Sequence, residues 1–171
     1  MPHLTLDPHR TYTVTIVTNC GRFAFTLDVK DSPKTSASFY YLVKRRFFDG
    51  VTFHRVASGF VIQGGDPTGT GSGGPGYTVV EPPPQNTQYV QGDVAMAKTQ
   101  TDPPGASGSQ FFIVTAANAT QTAGLTPDYA LLGKLVSGLN VVEKIGVLPT
   151  NPPGDGTPTQ AVVMSSVTVA P

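Results

Sequence analysis

Cysteine is nearly absent from this chain. Cys20 is the only one in 171 residues, which excludes an internal disulfide framework and a thiolate metal cage. With no second thiol to resolve it, Cys20 reads as a small, half-buried residue at a strand end. Charge is scarce as well: 11 basic and 11 acidic residues cancel, and together they make up only 13% of the chain. The longest basic run is Lys44-Arg45-Arg46. That is too little for the concentrated positive surface that phosphate binding needs, so nucleic acid is not expected as a partner. No apolar run approaches the roughly 18 residues of a membrane span, and residues 1–11 lack the apolar core of a signal peptide. As given, the chain reads as soluble and cytoplasmic; its low charge would equally suit an extracytoplasmic domain cut from a longer exported protein. No His/Asp/Glu spacing suggests a metal site, and no metal or cofactor is expected.

What the chain has in quantity is glycine (19) and proline (16), beside an apolar fraction of 39%. That mixture suits a β-rich domain with many turns better than a helical bundle. A chain of this length fits one domain that buries roughly 70% of its unfolded surface. Residues 1–10 read as an irregular lead-in that includes His3 and His9, and residues 11–171 as a single domain. The alternating runs 12–17 and 22–27 flank Asn19-Cys20-Gly21 and predict an antiparallel hairpin. Ser32-Pro33 predicts a helix start, with Ser32 as cap and Pro33 where its missing N–H costs nothing. The apolar stripe from Ala37 to Phe47 carries that helix toward Asp49-Gly50.

Two short strands are expected within 51–63, around Ala57-Ser58-Gly59. Buried strands follow at Val94–Ala97 and Phe111–Val114, and further strands at Ala130–Val136 and Val162–Val169. A late helix is expected from Leu139 to Ile145, capped by Ser137 and ended by Gly146. Glu81-Pro82-Pro83-Pro84 cannot be a central strand, since each proline removes a ladder donor. Segments 98–107 and 149–158 read as loops. The glycine-rich stretch 64–76 resembles a phosphate loop in composition only. No Gly-Lys-Ser/Thr follows it, so it reads as a structural loop. The sum is a mainly β fold, a closed eight-stranded antiparallel barrel capped by two α-helices, because closure removes exposed strand edges.

The chemistry concentrates in FHRVASGFVIQGGD (53–66) and GSQFF (108–112). One arginine, Arg55, and two amides, Gln63 and Gln110, stand among aromatic and aliphatic residues. Such a set makes a poor hydrolase, since no Ser/His/acid or Cys/His arrangement accompanies it. It suits an apolar peptide whose amide is polarised rather than cut. His54 alternates to the face opposite Arg55 and reads as structural. Arg55 alone could be a surface ion-pair residue, and the glutamines could merely satisfy buried backbone groups.

FHRVASGFVIQGGD, GDVAMA (92–97), GSQFFIVT (108–115) and the pattern around Leu132-Gly133-Lys134, in that order, resemble a cyclophilin-type peptidyl-prolyl isomerase over essentially the whole chain. DPTGTGSGGPGY (66–77) is similar to the bacterial branch. The resemblance implies a cyclophilin-like fold and acceleration of rotation about X–Pro bonds in flexible or unfolded polypeptides, with folding assistance as the biological role. It implies Arg55 as the catalytic donor and Gln63 as the residue that holds its guanidinium. It maps the proline slot onto Phe60, Val61, Phe112 and Leu125, with Ala97 and Gln110 lining the adjacent groove, Lys98 binding substrate through its main chain, and Tyr129 at the rim.

Several positions depart from the family pattern. Lys98 replaces a usual Asn, Val61 a common Met, and Tyr129 the usual His; Gly124 aligns where many eukaryotic members carry Trp. These changes leave the isomerase chemistry in place and imply that cyclosporin binding is weakened, because that Trp supplies a hydrogen bond and apolar area. A monomer suffices for everything expected. The competing class is a non-catalytic module that binds proline peptides. Retention of Arg55 beside Gln63 and Phe112 favours the isomerase, since binding alone would tolerate loss of the arginine.

Overall fold

The computed structural model describes residues 4–171. In chain order they form β1 (Thr13–Thr18), β2 (Gly21–Leu27), α1 (Pro33–Lys44), β3 (Arg55–Ala57), β4 (Val61–Gly64), β5 (Val79–Val80), β6 (Asp93–Met96) and β7 (Ala106–Ser107). There follow β8 (Phe111–Val114), α2 (Ala119–Ala123), β9 (Leu131–Ser137), α3 (Leu139–Gly146), β10 (Thr150–Asn151), β11 (Asp155–Pro158) and β12 (Met164–Ala170). The main sheet runs β10-β11-β3-β4-β8-β6-β9-β2-β1-β12, and β5 pairs with β7 separately. Every pairing is antiparallel.

The stretch from β3 to β12 in that order contains the eight strands expected from sequence. The β10–β11 hairpin extends the sheet beyond β3, within a segment expected to be loop. Ahead of β3, Thr52 bridges to Asp66 on one side and to Val163 on the other. Around it Gly50 N–H donates to the Met164 carbonyl at 2.7 Å, Phe53 N–H to Val162 at 2.9 Å, and Met164 N–H to Val51 at 2.9 Å. Of the lead-in, Leu6 is packed into the main core and His9 is exposed, while His3 lies outside the described residues.

The side-chain alternation of the central strands divides two apolar clusters. Ile62, Val94, Met96, Phe111 and Ile113 point into the main core. Their sequence neighbours Val61, Ala95, Phe112 and Val114 point to the opposite face, into a second cluster with Tyr89 and Leu125. Burial on both faces explains why 94–97 and 111–114 are continuous apolar runs rather than alternating ones. The main core is aromatic at its centre: Phe39 stacks on Phe48 at 4.7 Å, and Phe111 meets Phe39, Phe48 and Phe53 edge-on at 5.5–6.0 Å. Gly133 lets β9 and β2 approach, since a Cβ there would collide with the Thr26 carbonyl.

The helices depart from expectation in three ways. Ser32 occupies the N-cap of α1 without a side-chain cap bond. The Glu81 carboxylate takes that place, accepting from Lys34 N–H at 3.1 Å and Thr35 N–H at 2.8 Å, where a negative charge also complements the helix dipole. Ser137 belongs to β9, and α3 is entered through Gly138 at φ 77°, where a Cβ would meet Arg22 and Phe23. A third, unexpected helix is α2, capped by Asn118, whose side chain accepts from Gln121 N–H. It ends at Gly124 in the left-handed region, φ 65°.

Candidate active site

Arg55 and Gln63 are directly paired across the β3–β4 hairpin, so their side chains emerge on the same face. Arg55 Nη1 donates to Gln63 Oε1 at 3.1 Å, and Gln63 Nε2 donates to Gln110 Oε1 at 3.1 Å. Gln110 Nε2 in turn donates to the carbonyls of Gly71 and Gly73 at 2.9 and 3.0 Å. The orientation of both amides follows from the ends of this relay. A guanidinium can only donate and a peptide carbonyl can only accept. One arrangement therefore serves all members: each glutamine presents its oxygen toward Arg55 and its nitrogen toward the loop.

The loop is fixed by Asp66. Its carboxylate accepts from Thr68 N–H and Oγ1, from Gly71 N–H at 2.6 Å and from Gly73 N–H at 3.0 Å. Burial pushes this carboxyl up, but the N–H groups of Gly73, Thr68 and Gly71 and the Thr68 hydroxyl outweigh it. Together they hold it well below the usual carboxylate range. The expected structural loop is thus the foundation of the amide relay.

On its other edge Arg55 meets a residue that sequence reasoning did not find. Asp155 of β11 accepts from Nε and from Nη2, both at 2.7 Å. The Arg55 hydrogen bonds and charge hold the Asp155 carboxyl below its ordinary value. Asp155 lies 100 positions from Arg55 in a Pro/Gly-rich stretch, and the pairing of β11 with β3 brings it there.

Arg55 and Gln63 stand at one side of a slot of about 120 Å³. Its other walls are Phe60, Val61, Phe112, Leu125 and Tyr129, with Ala97 and Lys98 alongside. The predicted residues therefore converge, and Gln110 lies one step away. It lines a broader neighbouring groove of about 670 Å³ that shares Gln63, Ala97 and Lys98 with the slot. Phe112 and Tyr129 meet edge-on at 5.4 Å. The Lys98 ammonium sits 5.5 Å over the Tyr129 ring and donates to the carbonyls of Thr99 and Asp102.

Behind this wall lies Tyr89, a second residue missed from sequence. It is fully buried; its hydroxyl donates to the Tyr129 carbonyl at 2.6 Å and accepts from Tyr129 N–H at 3.1 Å. Burial raises its phenol pKa well above the ordinary value, so it stays a neutral donor.

His54 is buried, with no hydrogen-bond partner for Nδ1 among the described residues. Burial pushes its imidazole below the ordinary value. Among the described residues no three His, Cys, Asp or Glu side chains are grouped to hold a metal. No helix among them is long and apolar enough to cross a membrane.

The site can thus offer a fixed cation beside an apolar slot. Comparison with known proteins places the chain in a family. Residues 13–169 match the family model for cyclophilin type peptidyl-prolyl cis-trans isomerase/CLD. The chain is 36% identical to a peptidyl-prolyl cis-trans isomerase of Helicobacter pylori, over 82% of this chain and 90% of that one. It is 37% identical to peptidyl-prolyl cis-trans isomerase B of Streptomyces anulatus, over 91% and 94%. Among solved structures it is similar to a cyclophilin type isomerase of Cryptosporidium parvum, with a TM-score of 0.83, 29% identity, and coverage of 95% of this chain and 99% of that one. A structure of the same parasite protein in the presence of the dipeptide Ala-Pro matches with a TM-score of 0.81 and 30% identity, covering 93% and 99%.

Proposed function

Because the chain belongs to the cyclophilin-type peptidyl-prolyl cis-trans isomerase family, and so accelerates rotation about X–Pro bonds, we propose that Arg55 is the group that acts on the turning amide. Rotation carries a barrier of ~20 kcal/mol because amide resonance must be broken. No bond is cleaved, so neither nucleophile nor general base is needed. As the amide twists, its nitrogen regains a lone pair and becomes a hydrogen-bond acceptor. A permanently protonated, fixed guanidinium meets that acceptor in the transition state and finds none in the planar ground state. Gln63 holds the guanidinium through Nη1. Phe60, Val61, Phe112, Leu125 and Tyr129 receive the proline ring. Its three methylenes gain roughly 2 kcal/mol by leaving water, enough to place the ring and too little to trap product. Ala97 and Gln110 line the path of the residues before proline, and the main chain at Lys98 binds the substrate backbone.

The observation that carries this reading is the hydrogen bond from Arg55 to Gln63 at the mouth of the slot. The substrates proposed are proline-containing segments of flexible or unfolded proteins, with help to folding as the consequence, and the enzyme acts as a monomer. Cyclosporin binds weakly on this reading. Gly124, where a family Trp would stand, is left-handed, and no atom lies within 4 Å of the place a Cβ would take. The rim therefore lacks both the indole and a backbone that favours one. We also read residues 11–171 as one isomerase domain behind the lead-in 1–10, and its sheet as closed into a barrel. The bridges from Thr52 to Asp66 and Val163 support closure.

Exchange spectroscopy of a short Ala-Pro peptide tests the assignment. The protein at catalytic concentration is expected to merge the cis and trans signals. Peptide binding without faster exchange would replace the enzyme by a proline-peptide binding module.

A further inference from the structure

We infer that Asp155 is a positioning residue for the isomerase reaction, clamping the Arg55 guanidinium from the edge opposite Gln63. The inference rests on the reading of Arg55 as the donor to the twisting amide. A guanidinium has five N–H groups. Three are committed: one on Nη1 to Gln63, and those on Nε and Nη2 to the two oxygens of Asp155. One N–H on each terminal nitrogen is left for substrate. With Gln63 alone, a single 3.1 Å bond would leave the fork free to swing about it. The bidentate pair fixes both its plane and its direction.

The clamp is itself held by the strand that carries Arg55. Asp155 pairs with Ala57 and Gly156 with Val56, and Ser58 N–H donates to the Gly154 carbonyl at 2.8 Å. Gly156 allows the hairpin to close this tightly, since a Cβ there would crowd the Asn151–Pro152 backbone. Carboxylate and cation therefore move as one body.

A carboxylate beside the cation has two opposing effects. It dilutes the positive charge offered to the amide, and it fixes the donor's geometry. The side chains of Arg55 and Asp155 are 36% and 54% exposed, so water screens the first effect heavily. Arginine also keeps its proton in any such setting. The geometric effect is not screened, and small displacements of a reacting group are costly. Positioning outweighs dilution, and removing the carboxylate slows the reaction.

The test is a double-mutant cycle on Ala-Pro peptide exchange, with the peptide dissociation constant titrated alongside. Asp155→Asn keeps the size but can accept only one of the two bonds. It should slow catalysed exchange by about three- to tenfold, with the dissociation constant unchanged within about twofold, because the slot walls are untouched. In an Arg55→Ala background the same change should have no further effect, and Asp155→Glu should restore part of the rate. A wild-type or faster rate in Asp155→Asn, with Arg55→Ala slow, would overturn the inference while leaving the donor reading intact. Equal slowing by Asp155→Asn with and without Arg55 would also overturn it, by tracing the effect to the fold. If Arg55→Ala itself runs at the wild-type rate, the donor reading falls and the clamp with it.

Discussion

Replacing Tyr89 by Phe removes one oxygen and leaves the buried ring in place, which isolates what the clasp on Tyr129 contributes. That hydroxyl makes two bonds to one residue, donating to its carbonyl and accepting from its N–H. A neutral bond nets about 1 kcal/mol, and leaving a buried polar group unpaired costs about 1–3 kcal/mol. Tyr129 is half-buried, so water relieves part of the loss, and the change should cost about 2 kcal/mol. For a chain of this length that lowers Tm by about 4–8 °C. The functional effect should be separable. Tyr129 walls the slot against Phe112 at 5.4 Å, while the relay to Arg55 runs through Gln63 and never touches it. Loosening the wall should weaken Ala-Pro peptide binding by about three- to tenfold, with little change in exchange rate at saturation. Scanning calorimetry and a peptide titration on Tyr89→Phe give both numbers. A Tm within about 1 °C of wild type, or a lower saturating rate with unchanged binding, would show that the clasp does not hold the wall.

Asp66→Asn should destabilise the protein by about 3 kcal/mol in urea, since hydrogen bonds to a charged group are worth about 1.5–3 kcal/mol each and the amide can keep only part of the set; it should also slow exchange by freeing Gln110 from its loop. In the wild type the Asp66 carboxyl is depressed on folding. Its stabilisation is therefore full above the unfolded value of 3.8 and lost as pH falls below it toward the folded value. The side-chain carboxyl carbon signal of Asp66 should hold steady from neutral pH down to about 4; a carboxyl titration near pH ~6 would contradict the assignment. Gly133→Ala should cost at least about 3 kcal/mol, as the added carbon meets the rigid Thr26 backbone rather than a mobile side chain; a Tm equal to wild type would rule out the close strand approach.

Much of the fold was legible because its signals are local. Alternation in 12–17 and 22–27 gave the first hairpin, and Pro33 gave the start of α1. The eight main strands each carried an alternating or apolar pattern of their own. The motif residues were legible as a set because Arg55, Gln63 and Phe112 lie on neighbouring strands in register. What escaped depends on distance. Glu81 caps a helix 46 positions away, and nothing in its proline-rich surroundings marks it as a cap. Asp155 reaches Arg55 through a short hairpin hidden in a loop-like composition, and Tyr89 reaches Tyr129 across 40 positions. The helix α2 spans five residues, Ala119–Ala123, too few for an apolar period to register. The cap of α3 went to Gly138 because backbone approach to Phe23 outranked the hydroxyl of Ser137.

In the proposed mechanism a preorganised guanidinium, rather than the slot alone, lowers the barrier. Catalysed Ala-Pro exchange in wild type and Arg55→Ala, with the fold verified by amide spectra, separates the two contributions. The exchange rate should fall by about one to three orders of magnitude, with the spectra otherwise superimposable and peptide binding retained. Equal rates in the two proteins would contradict the role of the guanidinium.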